Sequence, residues 1–167
     1  MKQIFVLALA CLSLTACSEE SSPQEQARED AAAIASVEAA QVPPPQPVNL
    51  SAITFPDIER ENLFGAGCNF APTGGGMGAI TIAQNKAGYL KVDGQIERFA
   101  PDSGSAELPY GARERYTSGN RSFRLIVDTS ESQQSGYETM DYPGRLVIRD
   151  SQDRIVYEAD GIVQCGA

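Results

Sequence analysis

The sequence predicts an all-β fold over residues 50–167, a small antiparallel β-sandwich or barrel made of hairpins. Three observations carry this. Short runs of alternating apolar and polar residues recur through the stretch, with turn signals about every dozen residues, a spacing that suits sandwiches and barrels. One boundary is Asp93-Gly94, a pair that a type I′ hairpin turn favours because both central residues need positive φ. Two further pairs of strand-like runs flank Ser118-Gly119-Asn120 and Asp150-Ser151-Gln152-Asp153.

The elements follow in order. Ser22-Pro23-Gln24-Glu25 has the form of a capping box with proline at the first helical position. Alanine and glutamate dominate as far as Ala40, so a solvated helix is expected over about residues 23–40. Val42-Pro43-Pro44-Pro45-Gln46-Pro47 ends that helix and favours extended polyproline geometry. Residues 17–49 therefore read as a flexible or partly helical tether, able to lift the following domain by roughly 50 Å. Residues 65–79 are glycine-rich and read as a loop, with Gly74, Gly75, Gly76 and Gly78 as its flexible part. Residues 79–83 form a strand, and residues 89–92 and 95–99 flank Asp93-Gly94 as the strongest hairpin. Residues 113–117 pair with 121–129, and 145–149 with 154–158, while 161–165 closes the sheet. No helix of consequence and no internal repeat are expected within residues 50–167.

Composition excludes several chemistries. The formal charge is −9, and residues 18–49 hold six acids against one arginine. An acidic chain is a poor match for nucleic acid, whose phosphates require basic surface, and for broad adsorption to anionic lipid. There is no histidine, which removes Ser-His-Asp and Cys-His catalysis and every zinc site with imidazole ligands. No Gly-x-Ser-x-Gly and no Ser-x-x-Lys occurs.

The N-terminus explains the cysteine usage. Lys2 precedes a short apolar run, residues 4–12, far below the roughly 20 residues needed to span a bilayer. Leu14-Thr15-Ala16-Cys17 follows and resembles the lipobox of bacterial lipoproteins. That resemblance covers about the first 20 residues. It implies that residues 1–16 are a signal peptide, removed just before Cys17. It also implies that Cys17 carries a diacylglycerol thioether and usually a further chain such as palmitate; two or more chains anchor stably. Ser18 in place of an aspartate favours the outer membrane, with residues 17–49 as the lipidated tether and residues 50–167 as the periplasmic domain. Cys11 leaves with the signal and Cys17 is acylated, so Cys68 and Cys165 remain as a pair in an oxidising compartment and are predicted to form a disulfide. The general plan is similar to small disulfide-closed β-domains of envelope lipoproteins, some of which inhibit lysozymes. The motifs of that inhibitor family do not occur in this sequence.

Candidate sites are few. Gly74, Gly76 and Ala79 match a dinucleotide fingerprint by letter, but a strand-like run follows instead of the helix that fingerprint needs. Asp150, Asp153 and Asp160 lack the pattern of a calcium-binding EF-hand loop, so no metal and no cofactor is expected. The second hairpin offers more. If Gly119-Asn120 is a two-residue turn, Tyr116 faces Phe123 and Arg115 faces Arg124. Alternation then puts Tyr116, Phe123, Leu125 and Val127 on one face and Arg113, Arg115 and Arg124 on the other. Like charges opposed across a strand pair are unfavourable. Either the register differs, or Glu97, Glu107 or Glu114 neutralises the cluster, or an anionic partner does. Guanidinium forks suit carboxylates and phosphates. The sequence therefore points to a membrane-anchored envelope lipoprotein with a non-catalytic binding or structural β-domain. Its partners are the bilayer, through Cys17, and an envelope protein or glycan. Two alternatives stand beside it, a histidine-independent hydrolase using paired carboxylates and an inhibitor of an envelope-attacking enzyme.

Overall fold

The computed structural model describes residues 22–41, 43–74, 76 and 78–167. Residues 1–21, with Cys17 and the expected signal peptide, lie outside the described residues. The chain divides into two compact units, residues 1–43 and 44–167. In the first, helix α1 (Pro23–Gln41) buries none of its residues. Its start is the capping box read from the sequence: the Glu25 N–H donates to Ser22 Oγ at 3.2 Å, and the Ser22 N–H donates to Glu25 Oε2 at 3.2 Å.

The second unit contains helix α2 (Phe55–Glu61) and nine strands. These are β1 (Gly67–Pro72), β2 (Thr81–Gln84), β3 (Gly88–Val92), β4 (Gln95–Pro101), β5 (Arg115–Thr117), β6 (Arg121–Val127), β7 (Gln133–Gln134), β8 (Met140–Asp150) and β9 (Ile155–Gly166). Strands β1 to β6 pair in sequence order, β6 pairs with β8, β8 with β9, and β9 returns to β1. All pairings are antiparallel, so eight strands close into an up-and-down barrel, with the two-residue β7 added beside β8. Closure leaves the barrel strands no free edges where they pair.

The closing seam carries the predicted disulfide. Cys68 and Cys165 face each other in the β1–β9 register with Cα atoms 4.0 Å apart, and both are fully buried. The bridge ties the first barrel strand to the last across 97 residues. For a loop near this length the chain-entropy account gives about 4.7 kcal/mol of stabilisation.

Inward-facing residues fill the barrel, as expected at this strand number. Phe70, Leu90, Phe99, Tyr116, Leu125, Leu146, Ile148 and Val163 are fully buried and Phe123 nearly so. Tyr116 stacks on Phe123 at 4.8 Å, and Phe99 meets Phe123 edge-on at 5.1 Å. The rings fit because β3 offers no side chain there: a Cβ at Gly88 would lie 2.5 Å from the Phe123 ring and 2.7 Å from Tyr116. The Tyr116 hydroxyl donates to the Gln84 carbonyl and accepts the Arg113 N–H, both at 2.8 Å. Its burial pushes the phenol pKa up.

Both barrel mouths are crossed by chain. At one, residues 48–53 run from β9 to β3, held by Val48 N–H to the Val156 carbonyl, a Leu50–Val92 bridge and Ser51 N–H to the Lys91 carbonyl. Val48 and Leu50 pack on the core there. At the other, the turn Pro109–Gly111 brings Leu108 and Ala112 onto the same core.

Two expectations are corrected. Residues 50–167 do contain a helix, α2. Thr54 precedes it, Pro56 stands in its first turn, and Asp57 at the third position accepts the Thr54 N–H at 2.9 Å. Part of the glycine-rich stretch is also strand rather than loop: Gly67–Pro72 is β1 and delivers Cys68 and Phe70 to the core. A Cβ at Gly67 would lie 2.3 Å from the Ala83 carbonyl oxygen, so glycine in this strand reflects close backbone approach.

Candidate functional site

The barrel has an outer wall on which the second hairpin and β8 meet. The register puts Arg115 opposite Arg124, Tyr116 opposite Phe123 and Thr117 opposite Ser122, the pairing expected from a Gly119-Asn120 turn. Tyr116, Phe123 and Leu125 consequently face the core, and Arg115 and Arg124 project outward. On the far side of β6, β8 adds its own outward row, with Arg124 beside Val147 and Ser122 beside Arg149. The result is a cleft of about 170 Å³ lined by Arg115, Ser122, Arg124, Ile126, Val147, Arg149 and Asp153. Val147 faces outward yet is only 9% exposed. It forms an apolar floor flanked by arginines, whose stems shield apolar surface while their heads stay wet.

The electrostatics differ among the arginines. Arg124 donates through Nε to Glu114. Arg149 donates through Nη1 to the Asp153 carbonyl at 2.6 Å and lies 3.8 Å from its carboxylate. Among the described residues, the Arg115 guanidinium meets no hydrogen-bond acceptor and no carboxylate. A guanidinium keeps its charge at any accessible pH, so the cleft offers one unpaired fork next to two that are only partly engaged. Neutralisation by local acids thus accounts for much of the opposed pair but leaves Arg115 uncompensated.

Arg113 does not join this cleft. It ends near Glu107, with Nη2 3.2 Å from Oε2, and its Nη1 reaches the Ser105 carbonyl at 3.5 Å. It precedes β5, in the segment that turns over the barrel mouth, so strand alternation does not extend to it. Arg149 takes its place. Sequence reasoning missed it because it stands in another hairpin and reaches Ser122 only through the β6–β8 pairing. The outward parity of Arg145 and Arg149 on β8 was the available signal.

The remaining candidates resolve individually. Gly74, Gly76 and Gly78 lie in the β1–β2 connection with φ of 74°, 63° and 85°, and an added Cβ at any of them would meet nothing within 4 Å. Gly75 lies outside the described residues. Strand β2 follows this connection, so no helix N-terminus stands behind it to receive a pyrophosphate. Asp150 is a turn residue that accepts the Gln152 and Arg154 N–H groups and the Arg154 side chain, which together hold its pKa down. Asp160 pairs with Arg145 at 2.7 Å. Among the described residues no group of three or more His, Cys, Asp or Glu side chains is placed to hold a metal ion, and no helix is long and apolar enough to cross a membrane.

Asp57 is the acid buried among the described residues. Lys91 Nζ meets its carboxylate at 2.7 Å, the Thr54 N–H and hydroxyl add bonds of 2.9 and 2.7 Å, and Arg60 adds one of 2.7 Å. These donors, Lys91 foremost, hold its carboxyl well below the usual carboxylate range. That makes Asp57 a brace between α2 and β3, and the reverse of a proton donor, whose pKa must be raised.

Comparisons of the chain with protein-family models, curated proteins and solved structures find no match.

Proposed function

We propose that this chain is an envelope lipoprotein, acylated at Cys17 and anchored in the outer membrane facing the periplasm. In this reading its barrel binds a carboxylate or phosphate group of an envelope partner, without catalysis. The sequence around Cys17 supports the address. The observation that carries the binding reading is the opposition of Arg115 and Arg124 across β5 and β6, with Arg149 lining the same cleft and the Arg115 fork unpaired among the described residues. Glu114 offsets Arg124 but no carboxylate offsets Arg115 among the described residues, so the opposition of like charges stays unfavourable, and an anion that bridges the two forks relieves it. The packed barrel interior favours binding on the outside.

Two measurements test the reading. Cys17→Ser should move the protein from the membrane fraction to the soluble fraction, and native mass spectrometry should find the mature chain beginning at an acylated Cys17. An unmodified, uncleaved N-terminus contradicts the address. Calorimetric titration with pyrophosphate or citrate should give binding that Arg115→Glu abolishes and rising salt weakens. Binding indifferent to Arg115→Glu contradicts the site.

A further inference from the structure

The arginine cleft is one end of a longer feature. Three depressions lie along the outer wall of β6, β8 and β9, of about 170, 400 and 290 Å³. The first and second share Ile126, and the second and third share Pro143 and Ile162. They therefore adjoin one another along the wall. The middle one includes Gly144 and Gly161, which face each other in register. Both glycines are required by the barrel: a Cβ at Gly144 would lie 2.5 Å from Val163, and one at Gly161 would lie 2.2 Å from the Ala71 carbonyl oxygen. Their missing side chains would face the packed interior, against Val163 and Phe70, while on the outer side Ile126 and Ile162 stand 37% and 47% exposed.

Charge changes along this trough. Arg115, Arg124 and Arg149 stand at one end, Arg124 beside Glu114 and Arg149 beside Asp153, with the Arg115 charge in excess. In the middle, Arg145 is neutralised by Glu158 and Asp160. Glu131 and Asp141 line the far end, and Asp128 lines the middle depression near it. None of these three carboxylates meets a lysine or arginine among the described residues. From Asp141 to Arg149 the distance along β8 is roughly 26 Å, at about 3.3 Å per residue.

We propose that this trough binds an extended peptide segment of about eight residues. The segment carries an acidic group at the arginine end, a basic side chain at the Glu131 and Asp141 end, and an aliphatic side chain between them on Ile126 and Ile162. The polarity selects this occupant. The tail of an anionic lipid would run from the arginines over an ion pair toward uncompensated acids, and an anionic glycan would meet the same acids. Recognition runs through side chains, because closure leaves β6, β8 and β9 no free edge along the trough for main-chain strand addition, and β7 offers only two residues. The proposal rests on the anion-binding reading of the arginine cleft and extends it to a substrate class.

The test is selection of an immobilised random octapeptide library on the full chain, repeated with Ile162→Asp and with Arg115→Glu. Both positions are exposed, and unchanged thermal unfolding confirms that each variant is folded. The expected enrichment is an acid at one end, a base at the other and an aliphatic residue between. Ile162→Asp should remove the aliphatic preference, keep the acidic one and weaken binding of the best peptide about tenfold. Arg115→Glu should remove the acidic preference. Enrichment of acid alone, untouched by Ile162→Asp, overturns the trough and leaves the arginine cleft standing. No enrichment, together with no binding of pyrophosphate or citrate, overturns both.

Discussion

Two walls of the same barrel carry outward apolar residues, and only one of them is covered. On β2, β3 and β4, Ile82, Tyr89 and Ile96 project outward, and α2 with its flanks closes over them through Ile53, Ile58 and Leu63. On β6 and β9, Ile126 and Ile162 project in the same way and remain exposed beside the arginine row. Strand alternation generates both rows. The difference is that the first wall has a segment of its own chain to cover it, held by the ion pair of buried Asp57 with Lys91 at 2.7 Å, while Ile126 and Ile162 on the second stay exposed. Covered apolar surface serves stability; uncovered apolar surface next to unpaired charge suggests recognition.

Substitutions on the two walls should differ in cost. The largest effect is expected at the seam between β1 and β9. Replacing Cys68 and Cys165 together by serine should lower unfolding stability by about 3–5 kcal/mol in chemical denaturation. Next come equivalent truncations on the two walls. Ile82→Ala, beneath α2, should cost about 2–4 kcal/mol, whereas Ile162→Ala should stay within about 0.5 kcal/mol. Equal costs would show that the second wall is covered too.

The contrast also has a pH signature. Asp57 has a folded pKa below its unfolded value, so its contribution is complete above the unfolded value of about 3.9 and is lost as pH falls through the folded one. The thermal midpoint should fall below about pH 4, and Asp57→Asn should flatten part of that fall at the expense of stability near neutrality. Asp150, whose pKa is also lowered, by Arg154 first, contributes a further slope that Asp57→Asn leaves in place. The smallest stability effect is expected for Arg115→Glu, whose consequence should appear in binding alone.

Much of this fold was legible where information is local. Asp93-Gly94 does form a turn with positive φ at both residues, and the Gly119-Asn120 turn fixed the Arg115–Arg124 register. The capping box at Ser22 marked the start of α1, and the cysteines at the two ends of the domain marked its seam. The rest depended on distant partners. Alternation along a strand says which residues share a face but does not say whether the sheet closes, so sandwich and barrel were both open. Helix α2 is seven residues long and is held by Lys91 from another element, too short for a helical period to stand out. Strand β1 was hidden among glycines that are small because backbones approach them closely. Arg149 entered the cleft only through the β6–β8 pairing, a contact between separate hairpins.

The most direct test of the uncovered wall as a recognition surface is a backbone amide NMR titration of the isotope-labelled full chain with citrate. The account predicts shifts concentrated at Arg115, Ser122, Arg124, Val147 and Arg149, lost in Arg115→Glu. Shifts that centre on the α2-covered wall, or that persist in Arg115→Glu, would contradict it.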